Sequence, residues 1–265
     1  MSPKYFFVCL TFLVTLQAHA QILRVDKSHL ASDSSGYLTG AIDLRFLLNN
    51  STATPDQNST FVGIEGNADL VYLFPKHAMV AINTLEYFKP GEGRFIYNGS
   101  THLRMIWFRN QKLSPETFMQ FQFDETRELN KRNLLGLGFR YNFISGDNSL
   151  HAGIGMFNEV EEWQLSEAQI IRAEFRKLNS YFGGEVNLND KLIFNSIVYF
   201  QTAFDNSIDL WRHRISGHLE LKDQISKSFL LKFSADLAFD DRPIIPLVRF
   251  LYRLEAGIEF QFNVD

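Results

Sequence analysis

From about residue 37 to the end of the chain, apolar and polar side chains alternate with a period of two. The C-terminal stretch is the clearest case. Tyr252, Leu254, Ala256, Ile258, Phe260 and Phe262 alternate with Arg253, Glu255, Gly257, Glu259 and Gln261, so one face is wholly apolar and the other charged, polar or glycine. The same parity holds over residues 211–222 and 229–240. Successive side chains of a strand point to opposite faces, so this pattern predicts β-strands with one apolar and one polar side. Twelve such segments are predicted, at 37–49, 60–74, 77–89, 99–110, 116–128, 132–144, 149–160, 172–188, 191–204, 210–222, 228–240 and 249–262. Many are ten residues or more, whereas strands of soluble proteins are commonly about five or six.

The connections alternate as well. Those near residues 75–76, 111–115, 145–148, 189–190 and 223–227 are short. Those at 50–59, 90–98, 161–171, 205–209 and 241–248 are mostly longer and rich in Asn, charge and turn residues, with the tight connection at 129–131 as the exception. Hairpins that are tight at one end and long at the other describe a transmembrane barrel, with short periplasmic turns and longer extracellular loops. A sheet in hydrocarbon must close, because an unpaired backbone group there costs several kcal/mol. The predicted fold class is therefore all-β: a single antiparallel transmembrane β-barrel of about 12 strands. The competing reading is a soluble secreted β-barrel or sandwich that binds a ligand with its apolar face inward. Strand length and strand number favour the membrane.

Composition then becomes intelligible. Of the 265 residues, 26 are Phe and 45% are hydrophobic, yet mean hydropathy is -0.13. An apolar exterior averaged with a polar lumen and polar loops gives that value. Tyr72, Phe74, Phe88, Trp107, Phe108, Phe143, Trp163, Tyr199, Phe200, Trp211, Phe239 and Phe250 fall near strand ends and are expected in interfacial girdles. Lys4, an apolar run over residues 5–16 and Ala18-His19-Ala20 predict a signal peptide at 1–20, cleaved after Ala20, and a barrel domain over 21–265. The only cysteine, Cys9, leaves with it, so the exported chain has no disulfide. Net charge is -4, one more negative without Lys4, which argues against a nucleic-acid partner.

The chain resembles the family of salt-induced outer-membrane proteins of unknown function, the YdiY-like group, in a form typical of Bacteroidetes-like Gram-negative bacteria. The resemblance rests on Asp33-Ser34-Ser35-Gly36 before the first strand and on Arg132-Asn133-Leu134-Leu135-Gly136-Leu137-Gly138-Phe139-Arg140. It rests further on residues 150–156 leading to 159–162, on Arg212-His213-Arg214-Ile215-Ser216, and on Asp240-Asp241-Arg242-Pro243 before the last strand. It implies an outer-membrane barrel without assigned activity, with osmotic or salt stress as its setting. The implied partners are outer-membrane lipid, the barrel-assembly machinery and small solutes or ions. One departure is that Asn263-Val264-Asp265 follow Phe262, where such barrels usually end on an aromatic.

No catalytic, cofactor-binding or metal-binding set is assigned. H-E-x-x-H, C-x-x-C and G-x-S-x-G spacings do not occur. His213 and His218 lie on opposite strand faces, and Ser216 with His218 faces inward, so a barrel lipid hydrolase with an outer-wall Ser-His pair is disfavoured. Gly136, Gly138, Gly153 and Gly155 sit within strands, where glycine marks close packing, a bend or a bulge. Glu159-Val160-Glu161-Glu162 is expected in a solvated loop. Arg45, Arg104, Arg140, Arg212, Arg214, Asp236, Arg253, Glu255 and Glu259 are expected to line the lumen, as do Asp43 and Asp69. Such charges either select solutes or pair with one another to fill a narrow interior; burial favours pairing. The chain is expected to be a non-enzymatic structural barrel or narrow pore.

Overall fold

The computed structural model describes residues 37–51, 59–90, 96–166 and 169–264. The predicted signal segment, with Gly36 and all residues before it, lies outside the described residues. Twelve strands follow in order: β1 (Tyr37–Ser51), β2 (Ser59–Leu73), β3 (Ala78–Pro90), β4 (Ile96–Ile106), β5 (Leu113–Asp124) and β6 (Leu129–Ile144), then β7 (Ser149–Ser166), β8 (Gln169–Asn187), β9 (Leu192–Asp205), β10 (Leu210–Gln224), β11 (Phe229–Asp240) and β12 (Phe250–Val264). Each pairs antiparallel with its sequence neighbour, and β1 pairs with β12 from Leu38↔Val264 to Asp43↔Glu259, which closes the barrel. The even count puts the start of β1 and the end of β12 at the end that carries the short turns.

Besides β4, which ends at Ile106 instead of 110, the boundaries depart from the periodicity in two places. The segment predicted at 116–128 ends at Asp124, and a 3-10 turn (Glu125–Arg127) leads to Glu128 in the left-handed region at φ 61°. Asp124 caps that turn by accepting from the Thr126 backbone N–H at 3.1 Å. An acidic cap and one left-handed residue thus make a tight reversal without Gly or Pro. In the second departure β7 runs to Ser166 instead of ending near 160, which makes the acidic stretch part of the wall.

The outer surface is apolar on strand after strand. Ile64, Leu85, Met119, Leu135, Ile154, Phe182, Val198, Ile215, Phe233 and Leu254 are all exposed. A soluble monomer does not leave such a belt in water, and a closed ladder leaves no strand edge to satisfy in hydrocarbon. The barrel is a transmembrane one. Two aromatics expected in the girdles, Trp163 and Tyr199, instead point inward and are 3% exposed. Phe118, Phe157 and Phe175 are also buried inside, and the Phe88 side chain lies outside the described residues.

Two strand glycines make room for inward rings. A Cβ on Gly153 would overlap the Tyr181 ring, and one on Gly136 would overlap Phe118. Gly153→Val should therefore displace Tyr181 and lower stability by about 1–3 kcal/mol through overpacking. The midpoint of denaturant-induced loss of heat-modifiable gel mobility measures this, and an unchanged midpoint would contradict the packing.

Candidate functional site

The lumen holds charged side chains that water barely reaches, and they are joined by ion pairs. Toward the long-loop end, Glu159 of β7 is 1% exposed and is contacted by Arg132 of β6, Lys177 of β8 and, at 3.8 Å, Arg214 of β10. Glu161 of the same strand meets Arg132 at 3.4 Å and Arg214 at 3.5 Å and accepts from Trp163 Nε1 at 3.0 Å. Arg214 also pairs with Asp240 at 3.0 Å. The acidic stretch is thus a strand with two carboxylates inside the barrel; only Glu162 turns away, pairing with Lys131 at 2.8 Å. The alternation that runs through residue 157 continues through it, whereas the local charge density suggested a loop.

Deeper, Tyr181 donates to Glu116 at 2.6 Å, and Arg104 and Arg140 approach the same carboxylate at 3.6 and 4.0 Å. Near the short-turn end, Lys232 pairs with Asp43 at 2.6 Å and with Glu259 at 3.4 Å, and Lys222 pairs with Glu259 at 2.9 Å. Higher on the same wall, Arg253 of β12 contacts Glu65, Glu86 and Glu255. Arg212 pairs with Asp205 at 2.6 Å, and Asp236 pairs with His218 Nδ1 at 2.6 Å. Arg45 sits opposite Glu65 in the β1–β2 register; its side chain lies outside the described residues.

Several of these contacts are chords across the interior. Arg214 reaches from β10 to β7, Tyr181 from β8 to β5, and Arg253 from β12 to β3. The residues expected from sequence supply about half of the charged groups in the other clusters but only Arg214 in the upper one. Glu65, Glu86, Glu116, Glu159, Glu161, Arg132, Lys177, Lys222, Lys232 and Asp240 are added by the structure, and strand parity marks them, since each lies on the polar face of its strand.

Between the upper and deeper clusters lies a cavity of about 80 Å³, lined by Arg104, Arg132, Asn179, Gln201, Trp163 and Tyr199 among others. Its roof is the loop 241–249. Ile245 there is 5% exposed and packs on Leu129 and Trp163.

No protein-family model and no curated protein matches the chain. Solved structures of other barrels do. The NanC porin aligns at 9% identity over 85% of this chain and 100% of its own, with a TM-score of 0.48. The anion-selective porin from Comamonas acidovorans aligns at 11% identity over 86% and 100%, with a TM-score of 0.39. The CymD monoaromatic hydrocarbon channel aligns at 10% identity over 92% and 88%, with a TM-score of 0.40.

Proposed function

We propose that this chain is a narrow outer-membrane pore for small solutes and carries out no covalent chemistry. The supporting observation is the cavity of about 80 Å³ set between chords of paired charge. At roughly 10–15 Å³ of such room per water molecule, this is space for about six waters. A passage of that width is hydrated but far tighter than the aqueous channel of a sixteen-stranded porin. Lipid-facing strands and a closed ladder fit the outer membrane, reached by export and the barrel-assembly machinery. The resemblance to salt-induced proteins makes osmotic stress the proposed setting.

A lipid hydrolase fits less well. Ser216 and His218 both face the lumen, away from lipid. The His218 ring has Nδ1 on Asp236 at 2.6 Å and Nε2 toward Glu220 at 3.8 Å. Glu220 and Ser216 lie on opposite sides of His218 along β10, so that Nε2 is turned away from the serine.

Planar-bilayer recording tests the pore. Small, ohmic single-channel steps, well below those of a trimeric porin in the same salt, are expected. Complete silence from protein shown to be inserted would make the barrel purely structural.

A further inference from the structure

We propose that the lumen cavity is a binding site for a small hydroxycarboxylate, a short carbon chain bearing one carboxylate and at least one hydroxyl. The site rests on the reading of the lumen as a solute path and names the solute class.

The first argument is charge. The cavity is lined by Arg104, Arg127, Arg132, Arg214 and, at its exposed rim, Arg249, with Glu161 and Asp240, while Glu159 and Glu116 contact the same arginines, so five cations face four carboxylates. A balance of this kind in a water-poor interior favours an anion. Arg104 is the cation with capacity to spare. Its side chain is 2% exposed, its Nε makes no hydrogen bond, and its Nη1 has only the long 3.6 Å approach to Glu116. The guanidinium rests on two rings, 5.7 Å from the Phe118 centroid and 5.5 Å from that of Tyr181. Tyr199 is a further hydrogen-bond partner of the guanidinium, and the stacking fixes the plane in which Nε or Nη1 donates to a carboxylate.

The second argument is the opposite polarity beside it. Asn179 Oδ1 and Gln201 Oε1 are buried with no hydrogen-bond partner, and both residues line the cavity. They are direct cross-strand partners on β8 and β9, and the next inward pair along the same two strands is Tyr181 with Tyr199. Arg104 lies on Tyr181. The amide pair and the spare guanidinium are therefore neighbours. A buried polar atom without a partner costs about 1–3 kcal/mol, and a ligand hydroxyl donating to either amide oxygen removes that cost while its carboxylate takes the Arg104 donors. A simple halide satisfies only the guanidinium.

The third argument is size and lining. Room for about six waters admits a molecule of roughly six or seven heavy atoms and excludes an oligomer. Phe118, Phe157 and Trp163 supply apolar surface for its carbon chain.

The test uses protein in detergent micelles, with Trp107→Phe and Trp211→Phe leaving Trp163 as the sole fluorescent indole. Both replaced rings are exposed, and Trp163 lines the cavity. Glycerate should shift the emission saturably. Propionate, which lacks the hydroxyls, should bind at least about tenfold more weakly, the equivalent of about 1.4 kcal/mol, and uncharged glycerol should do nothing. Arg104→Met should abolish the glycerate response. Asn179→Leu and Gln201→Leu, at positions outside the ion-pair clusters, should bring glycerate down to the propionate level without changing propionate, and they remain decisive if Arg104→Met misfolds. The site is refuted if glycerate gives no saturable shift, if inorganic phosphate or propionate matches it, or if the amide variants bind it unchanged. Binding is read without conduction, so a silent bilayer combined with a glycerate response would remove the pore and leave the site.

Discussion

Glu159→Gln is expected to lower the unfolding free energy of the barrel by about 3–5 kcal/mol. The Glu159 carboxylate is 1% exposed and lies among Arg132, Lys177 and Arg214. Taking a charge out of water is expensive, and inside the wall these three cations are offset by three carboxylates, Glu159, Glu161 and Asp240. Replacing the carboxylate with an amide of the same size keeps the shape and removes the anion, leaving three cations to share Glu161 and Asp240. Lys177 is left worst, because its ammonium has Glu159 as its ion-pair partner. Glu159→Gln combined with Lys177→Met should therefore recover part of the loss, since the double change deletes a pair instead of stranding one member. Denaturant titration in micelles, followed by the heat-modifiable band, measures both. A loss below about 0.5 kcal/mol in the single variant would mean that the cluster is hydrated well enough to screen its charges. In bilayers the same variant should shift ion preference toward anions.

Glu159 also shows what the chain discloses before it is folded. Period-two parity assigns a side chain to lumen or lipid, and it predicted all twelve strands because the contrast between faces extends through nearly every segment. Local composition proved a poorer guide than parity. Three glutamates and a tryptophan after Phe157 look like a loop by charge, yet Glu159, Glu161 and Trp163 continue the inward series of β7. Tyr199 looks like a girdle residue by chemistry, yet it shares parity with buried Ile197 and Ala203. What alternation cannot supply is the partner across the lumen. Arg214 meets Glu161 on a strand 53 residues away, and that pairing depends on barrel curvature and strand stagger, which no local pattern encodes. The turn at 125–128 was hidden for another reason. Its reversal is made by an Asp cap and a left-handed glutamate, and the residues there carry neither of the usual breakers.

Ile245→Asp should open the long-loop mouth of the barrel while leaving the wall intact. Loop 241–249 is tied down at its base. The Asp241 N–H donates to the His213 carbonyl at 3.1 Å, the His213 N–H donates to Asp241 Oδ1 at 2.7 Å, and Arg242 Nε donates to the Trp211 carbonyl at 3.1 Å. From that base Ile245 turns inward onto Leu129 and Trp163, with Ile171, Ile244 and Leu247 packed around it. Val248 and Arg249 of the same loop line the cavity below, so the inserted isoleucine holds a roof in place. An aspartate there would be a buried carboxylate against an apolar cluster, which costs more than the loop gains by staying folded in. The segment then swings out, losing about 2–5 kcal/mol of isoleucine packing. That loss stays within the loop, because β11 and β12 keep their own ladder from Phe229↔Phe260 to Phe239↔Phe250. Single-channel conductance should rise severalfold, and Trp163 fluorescence should shift to the red and become quenchable by iodide. The unfolding free energy of the barrel should fall by no more than that packing loss, less the conformational entropy that the released segment regains. Ile245→Ala, which shortens the side chain without adding charge, should fall between the two. If conductance and quenching stay at the wild-type level in the aspartate variant, the roof is held by its backbone anchors alone and the passage must be limited deeper, at the chord from Tyr181 to Glu116.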